Sequence, residues 1–328
     1  MAHLDMTDPG ITLSRHIIEQ EHRHPSATGE FSVLLQQLSY AGRTLAHVIG
    51  RAAMDKISDP TGVTGPSGDQ QKRLDVVADE IMRDAFVRSK LVAGIASEEH
   101  EDPAEITVSS KAGYLLCLDP IDGSANASVD ATLGTIFGIF RHHEANGLVT
   151  ADDFLRPGTE LVAAGYLLYG PATMLVYTVG EGVHGFTLDA TVGEFLLTHP
   201  NIVCPPDGPI IAANTARYAE WPNQAKQYVD TVFGEGRGRM VRYSGAPVAD
   251  LHRCLVEGGV FLYPPDADYP TGKLRTVYEA APLGFIAEQA GGAASSGVGR
   301  ILEITPTSLH DTTPIIVGSR TLVSRYEV

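Results

Sequence analysis

The chain has 328 residues, 43% of them hydrophobic and 20% charged, with a formal net charge of −16. That length allows about two domains around a large packed core. The negative balance excludes nucleic acid and anionic membrane surfaces as partners, because both need a basic face, but it leaves open a small phosphorylated molecule, whose binding depends on local charge.

Residues 1–27 are polar and read as a loose N-terminal segment. Asp5, Asp8 and the lack of an apolar stretch leave no signal peptide visible. From Phe31 onward, Leu34, Leu35, Leu38, Leu45, Val48, Ile49 and Ala52 recur at helical spacing, which predicts a long amphipathic helix over 31–54. Thr28-Gly29-Glu30 stands at its start, with Thr28 as the cap and amides open to an anion. Residues 58–68 are rich in Gly and Pro and read as a mobile lid loop. A helix over about 71–89 and a short strand, Leu91 to Ile95, follow. That strand ends in Glu98-Glu99.

Tyr114 to Leu118 is an apolar run that reads as a buried strand, broken by Pro120. Residues 134–140 are a further strand. Leu161 to Tyr169, Met174 to Thr178, Gly185 to Leu188 and Phe195 to Leu197 suggest a meandering antiparallel sheet. The longest apolar run in it, Leu161 to Tyr169, is far shorter than the ~20 residues a membrane helix needs. Pro200 to Pro209 carries four prolines and marks the domain boundary. Beyond it, strands (Ile210 to Ala213, Met240 to Tyr243, Val260 to Tyr263, and near 301–304 and 314–318) alternate with helices (221–233, 248–257, 278–290). That pattern is α/β. Cys117, Cys204 and Cys254 are far apart, without metal spacing, and read as buried free thiols in a reducing cytoplasm.

Carboxylates recur where strands end. Asp69 closes the lid loop and Asp75 lies six residues on. Glu98 and Glu99, then Asp119 and Asp122, follow strands, and Glu279 opens a late helix. Asp119 and Asp122, with the Ile121 carbonyl between them, are hard oxygen ligands suited to Mg²⁺ or Mn²⁺. Gly123 permits a sharp turn, and Ser124 offers a hydroxyl and an amide to an anion. Read alone, the segment fits a plain turn equally well. The repetition of acids at strand ends favours a site. Such acids repel by about 4 kcal/mol per pair at ~4 Å and an effective dielectric of 20, so they need cations to sit together. The second half supplies the cationic side: Asn214, Arg242-Tyr243, Tyr263, Lys273 and Arg275 suit a phosphate held by charge and hydrogen bonds.

Several segments, in order, carry a resemblance. They are Gly68-Asp69-Gln70-Gln71-Lys72-Arg73-Leu74-Asp75, Ser97-Glu98-Glu99, Leu118 through Asn126, Gly134 through Ile139, Gly259 through Pro264, and Gly272 through Arg275 with Tyr278-Glu279. Together they resemble class I fructose-1,6-bisphosphatase, within the lithium-sensitive sugar phosphatase superfamily that also includes inositol monophosphatases. The resemblance implies a layered α/β (αβαβα), or α+β, sugar-phosphatase fold in two sub-domains. Residues 28–200 would form the metal-carboxylate and AMP-binding domain, and 201–328 the sugar-phosphate-binding domain. It implies hydrolysis of the 1-phosphate of fructose 1,6-bisphosphate, with sedoheptulose 1,7-bisphosphate as an alternative or additional substrate. A non-catalytic sugar-phosphate sensor on the same fold is the reading from another class. Gluconeogenesis and carbon fixation both remain open.

By the same resemblance, Glu98, Asp119, Asp122 and Glu279, with the Ile121 carbonyl, would bind about two or three Mg²⁺ ions per subunit. Asp69, Asp75 and Glu99 would be catalytic. Gly123 and Ser124 would contact the 1-phosphate, and Asn214, Tyr243, Tyr263, Lys273 and Arg275 would serve the sugar and the 6-phosphate. Arg242 would reach into a neighbouring subunit of a homo-oligomer, usually a tetramer. Thr28, Gly29, Glu30, Tyr114 and Arg141 match AMP-binding positions. The sequence departs from the family pattern at Ala125 (a second Ser), Gly113 (a Lys) and Arg217 (a Tyr at the phosphate pocket), where the arginine is expected to bind, with Lys273, the phosphate that is not cleaved.

Overall fold

A computed structural model describes residues 10–23, 29–57, 59–64, 70–87, 89–105, 113–142, 149–236 and 238–327. Five layers alternate helix, sheet, helix, sheet, helix. The larger sheet has eight strands in the order Glu194–Ile202, Val183–Asp189, Thr173–Thr178, Leu161–Tyr169, Leu133–Arg141, Tyr114–Asp122, Val92–Ser97 and Ala104–Glu105. Neighbours run antiparallel except Val92–Ser97 beside Tyr114–Asp122, which is parallel.

Side-chain alternation shows why two faces of this sheet must be covered. Leu116 and Leu118 pack with Leu38, Leu45, Leu74, Met82 and Phe86, from helices Glu30–Ile49 and Arg73–Val87. Leu115 and Cys117 point the other way, toward Val248, Leu251, Phe285 and Ile286 of helices Pro247–Glu257 and Ala281–Gln289. A strand with period two and no polar face reads as a continuous apolar run, and all nine residues of Tyr114–Asp122 are buried. The middle helices are shared with a five-stranded sheet in the order Met240–Val241, Ile210–Ala212, Gly259–Tyr263, Ile315–Gly318, Ala293–Ser295. Phe261 and Val317 face the middle layer, while Val260, Leu262 and Ile316 face Ala225, Val229, Leu322 and Val323 of helices Asn223–Gly234 and Arg320–Ser324.

Four expectations are corrected. First, the segment read as loose over 1–27 contains a helix, Leu13–Glu21; Thr12 caps it by accepting the Arg15 amide at 3.2 Å, and Leu13, His16 and Ile17 bury a narrow stripe. The Leu197 amide donates to the Ile11 carbonyl at 2.8 Å, tying this segment to the sheet edge. Second, residues 60–64 of the expected lid loop form a strand, Pro60–Thr64, paired antiparallel with Gln70–Lys72. Third, the helix over 31–54 is Glu30–Ile49, with Gly29 in the left-handed region at its N-terminus and no side-chain cap. Thr28 lies outside the described residues. Fourth, residues 301–303 are a short 3-10 turn, with Ile301 and Leu302 buried in the core.

Pro120 does not end its strand either. Asp119 pairs with Ile136 and Asp122 with Gly134, so three steps on one strand oppose two on the other. This is a bulge, where a proline is tolerated in a sheet. Its consequence is chemical. Residues three apart in a regular strand face opposite sides, and the extra residue turns Asp119 and Asp122 to the same side.

Candidate active site

Carboxylate oxygens of Asp119, Asp122 and Glu279 lie within 4.8 Å of one another, and all three residues are buried. Three different devices put them there. Asp119 and Asp122 come from the bulge. Glu279 comes from a π-helical turn, Thr276–Ala280, a geometry that concentrates at functional sites. Asp122 also accepts the Val248 amide at 2.8 Å, from the N-terminus of helix Pro247–Glu257. Close approach of that helix depends on two glycines. A Cβ on Gly134 would stand 2.6 Å from Val248 Cγ2, and one on Gly123, at φ +73°, would stand 2.5 Å from the Ala246 Cβ.

Burial and mutual repulsion outweigh the attraction of Lys273 and Arg275 for this cluster, and the carboxyl groups respond. Burial, then repulsion from Glu98, Asp122 and Glu279, pushes Asp119 far above the usual carboxylate range. Asp122 is pushed up to about 8 and Glu279 to about 7, in each case chiefly by burial. Three buried carboxylates with converging oxygens fit a hard divalent cation, whose charge would return them to the ionised state. Glu98 stands nearby with one oxygen 3.8 Å from the Arg275 guanidinium.

Next to this cluster lies a cavity of about 680 Å³, lined by Asp75, Glu98, Glu99, Ile121, Asp122, Gly123, Ser124 and Glu279 at one end. Asp75 sits in the first turn of helix Arg73–Val87; one oxygen accepts the Lys72 amide at 2.7 Å and the other, Oδ1, is buried without a partner among the described residues. Glu99 accepts from the Gln71 side chain at 2.5 Å. Burial raises Asp75 to about 6 and Glu99 to about 7. The cavity is also lined by Tyr243, Tyr263, Tyr269, Lys273 and Asp268, and by Arg275, whose amide donates to Glu279 at 2.6 Å. The Lys273 ammonium lies 5.4 Å from the Tyr269 ring centroid.

Most expected site residues therefore meet at one cavity, with exceptions. Asp69 lies outside the described residues. Among the described residues, Asp119, Asn214 and Arg242 do not line the cavity, although Asp119 belongs to the acid cluster beside it. Asn214 stands at the N-terminus of the turn Thr215–Glu220, and its carbonyl accepts the Arg217 amide at 3.0 Å. The Arg242 guanidinium folds back on the Val241 carbonyl at 2.9 Å. Arg217, expected to bind phosphate, instead meets the carboxylates of Asp266, Asp268 and Glu220 at 2.6–2.7 Å. Gln71, Lys72 and Tyr269 were not singled out from sequence. Gln71 and Lys72 lie between Asp69 and Asp75, whose carboxylates carry the stronger signal, and Tyr269, between Asp268 and Pro270, carries no local signal.

A second cavity, about 400 Å³, brings together Gly29, Glu30, Tyr114 and Arg141 with His16, Ile17, Phe31, Tyr177 and His184. The Arg141 guanidinium stacks over the Tyr114 ring at 4.5 Å. Cys117, Cys204 and Cys254 are free and buried, as expected. Among the described residues, no helix is long and apolar enough to cross a membrane.

Comparison with known proteins agrees along the whole chain. Residues 11–200 match the family model for the fructose-1-6-bisphosphatase N-terminal domain, and 204–328 that for its C-terminal domain. The chain is 47% identical over 318 residues to a fructose-1,6-bisphosphatase class 1 of Acaryochloris marina, covering 96% of each chain. It is 44% identical to that of Chloroherpeton thalassium, covering 94% of this chain and 90% of the relative. The structure of Leishmania major fructose-1,6-bisphosphatase in holo form superposes with a TM-score of 0.91 at 37% identity, over 97% of this chain and 98% of that one. Its T-state structure superposes with a TM-score of 0.86 at 36% identity, over the same shares. With the site geometry and both halves matched, the chain belongs to the class I fructose-1,6-bisphosphatase family.

Proposed function

We propose that the chain hydrolyses the 1-phosphate of D-fructose 1,6-bisphosphate to fructose 6-phosphate and phosphate, with Mg²⁺ held by Asp119, Asp122, Glu279, Glu98 and the Ile121 carbonyl. The observation that carries this reading is the convergence of three buried carboxylates within 4.8 Å at one end of a cavity whose other end holds Lys273 and three tyrosines. One end suits cleavage, and the other suits a phosphate kept as a handle.

A bound divalent cation supplies positive charge at the phosphoryl oxygens and offsets the acid cluster. The chain's own groups do the rest. Gly123 and Ser124 receive the 1-phosphate at the turn after the bulge. Asp75 Oδ1, buried without a partner among the described residues, and Glu99 orient the attacking water and take its proton. Their elevated values, about 6 and about 7, are close to those of an effective base at neutral pH. The Lys72 ammonium donates to the Ser124 carbonyl and holds the phosphate turn against the base-bearing helix. At the far end, Lys273, Tyr243 and Tyr263 hold the sugar and the 6-phosphate.

The remaining parts of the reading concern assembly and control. Arg242 is exposed and turned away from its own cavity, which suits a role in a neighbouring subunit of a tetramer. AMP is the ligand of the second cavity, with Arg141 for its phosphate. Buried free thiols suit a cytoplasmic enzyme. The test is phosphate release from a panel of sugar phosphates with and without Mg²⁺. Turnover of fructose 1,6-bisphosphate should exceed that of inositol 1-phosphate and require the cation, and a preference for the inositol ester would contradict the handle.

A further inference from the structure

Arg217 stands where the family pattern has a tyrosine at the phosphate pocket, yet it is not among the cavity's lining residues, and its guanidinium is held by three carboxylates, one of which, Asp268, does line the cavity. Its Nε meets Asp266 at 2.7 Å, and one terminal nitrogen meets both Asp268 and Glu220 at 2.6 Å. These pairs are not equivalent. The Asp268 and Glu220 side chains are exposed, where an ion pair contributes little, whereas the Asp266 side chain is only 1% exposed. A buried carboxylate that loses its cation is strongly unfavourable.

Asp266 is also a backbone clamp. Its other oxygen accepts the amides of Asp268 at 3.0 Å and Tyr269 at 2.9 Å. Tyr269 in turn presents its ring to the Lys273 ammonium at 5.4 Å. A continuous path therefore runs from Arg217 through Asp266 and the backbone of 268–269 to Tyr269 and Lys273. Tyr263, on the cavity wall, has Lys273, Asp266, Tyr269 and Arg217 as its charged and titratable neighbours. Among the described residues, Arg217 is the cation that pairs with all three carboxylates; without it they lose that partner, and Asp268 lines the cavity.

We infer that Arg217 is a positioning residue for the uncleaved phosphate: it braces the 264–273 loop through Asp266, sets Tyr269 against Lys273, and neutralises Asp268 at the cavity mouth. It does not touch the phosphate itself. The inference rests on the reading of this cavity end as the phosphate handle.

The test compares Arg217→Gln, Arg217→Lys, Asp268→Asn and the double variant Arg217→Gln/Asp268→Asn, with Lys273→Ala as the control for the handle itself. Steady-state kinetics with fructose 1,6-bisphosphate and binding of fructose 6-phosphate are the readouts. Arg217→Gln should raise KM by ~10-fold with kcat within ~3-fold, because uniform binding of the remote phosphate is what falls. Arg217→Lys keeps the charge without the fork and should fall between the two. Asp268→Asn in the Arg217→Gln background should recover at least ~3-fold in KM, since an uncompensated carboxylate is removed. A KM for Arg217→Gln within ~2-fold of the parent, about the scatter of context effects on one contact, would leave only a structural role and overturn the inference. A double variant no better than Arg217→Gln would overturn it too, because that is the behaviour of a direct phosphate ligand. If Arg217→Gln does not fold, Arg217→Lys with and without Asp268→Asn carries the same comparison. The two readings fail differently: an unchanged KM in Lys273→Ala defeats the handle, whereas a raised KM there with an unchanged KM in Arg217→Gln defeats only the role of Arg217.

Discussion

The two ends of the main cavity solve opposite electrostatic problems. At the metal end, Asp119 and Asp122 are buried at a bulge and Glu279 in a π-helical turn, and among the described residues none of the three forms a side-chain ion pair. At the handle end, the acids Asp266, Asp268 and Glu220 share one arginine within the protein. The lesson concerns how to read clustered charge. Buried carboxylates left unpaired point to a cation from solution, and paired ones point to scaffolding. Both groups bring three acids within ligand distance of each other, and burial and internal partners separate them.

The largest break in that comparison should come from the metal end. Asp119→Asn and Glu98→Gln each keep shape and remove a ligand charge. Each should lower kcat by at least ~10²-fold, comparable to losing one group of a preorganised site. Metal-free Asp119→Asn should also melt higher than the metal-free parent, because repulsion falls. Near-parental turnover in both variants would refute the metal assignment.

Lys273→Ala should act next, and differently. Loss of one charge-assisted hydrogen bond of ~1.5–3 kcal/mol corresponds to a KM rise of ~10–150-fold. Its kcat should change less, since the bond serves ground state and transition state alike. A fall confined to kcat would place Lys273 at the chemistry instead of the handle.

A third effect is on stability. Asp75, Glu279 and Asp122 carry raised values, about 6, about 7 and about 8. A carboxyl whose folded value is raised holds its proton longer in the folded state than in the unfolded chain. Its stabilising contribution is complete below the ordinary value near 4 and is lost as pH rises through the folded value. The melting temperature of chelated protein should therefore fall as pH rises from about 4 to about 8, and added Mg²⁺ should flatten the profile. A chelated protein that becomes more stable across that window would contradict the unpaired cluster. The smallest effect is expected at the second cavity. Arg141→Ala should raise the AMP concentration for half-inhibition by ~10-fold, the worth of one hydrogen bond to a charged group.

Much of this site was legible because its chemistry resides in residue type. Glu98, Asp119, Asp122 and Glu279 declare themselves as hard ligands wherever the backbone puts them, and the apolar run Tyr114 to Leu118 placed the strand of Asp119 and Asp122. What was hidden was geometry that departs from a period. The bulge at Pro120 read as a strand end, because proline usually stops a ladder. The π-turn under Glu279 has no residue signature. Helix Leu13–Glu21 was missed because its buried stripe is only Leu13, His16 and Ile17, and one of those is polar. Arg217 was misread for a different reason: its partners Asp266 and Asp268 are about fifty positions away, and a sequence shows a charge without showing what already neutralises it.

The measurement that bears most directly on the metal end is phosphate release from fructose 1,6-bisphosphate by the purified chain, first with Mg²⁺ and then in excess chelator, with Mg²⁺ restored at the end. Expected is turnover that collapses on chelation and returns with the cation, with fructose 6-phosphate as the product. Undiminished turnover in chelator, or release of the 6-phosphate instead of the 1-phosphate, would contradict the assignment of the buried acids as the cation site beside the cleaved bond.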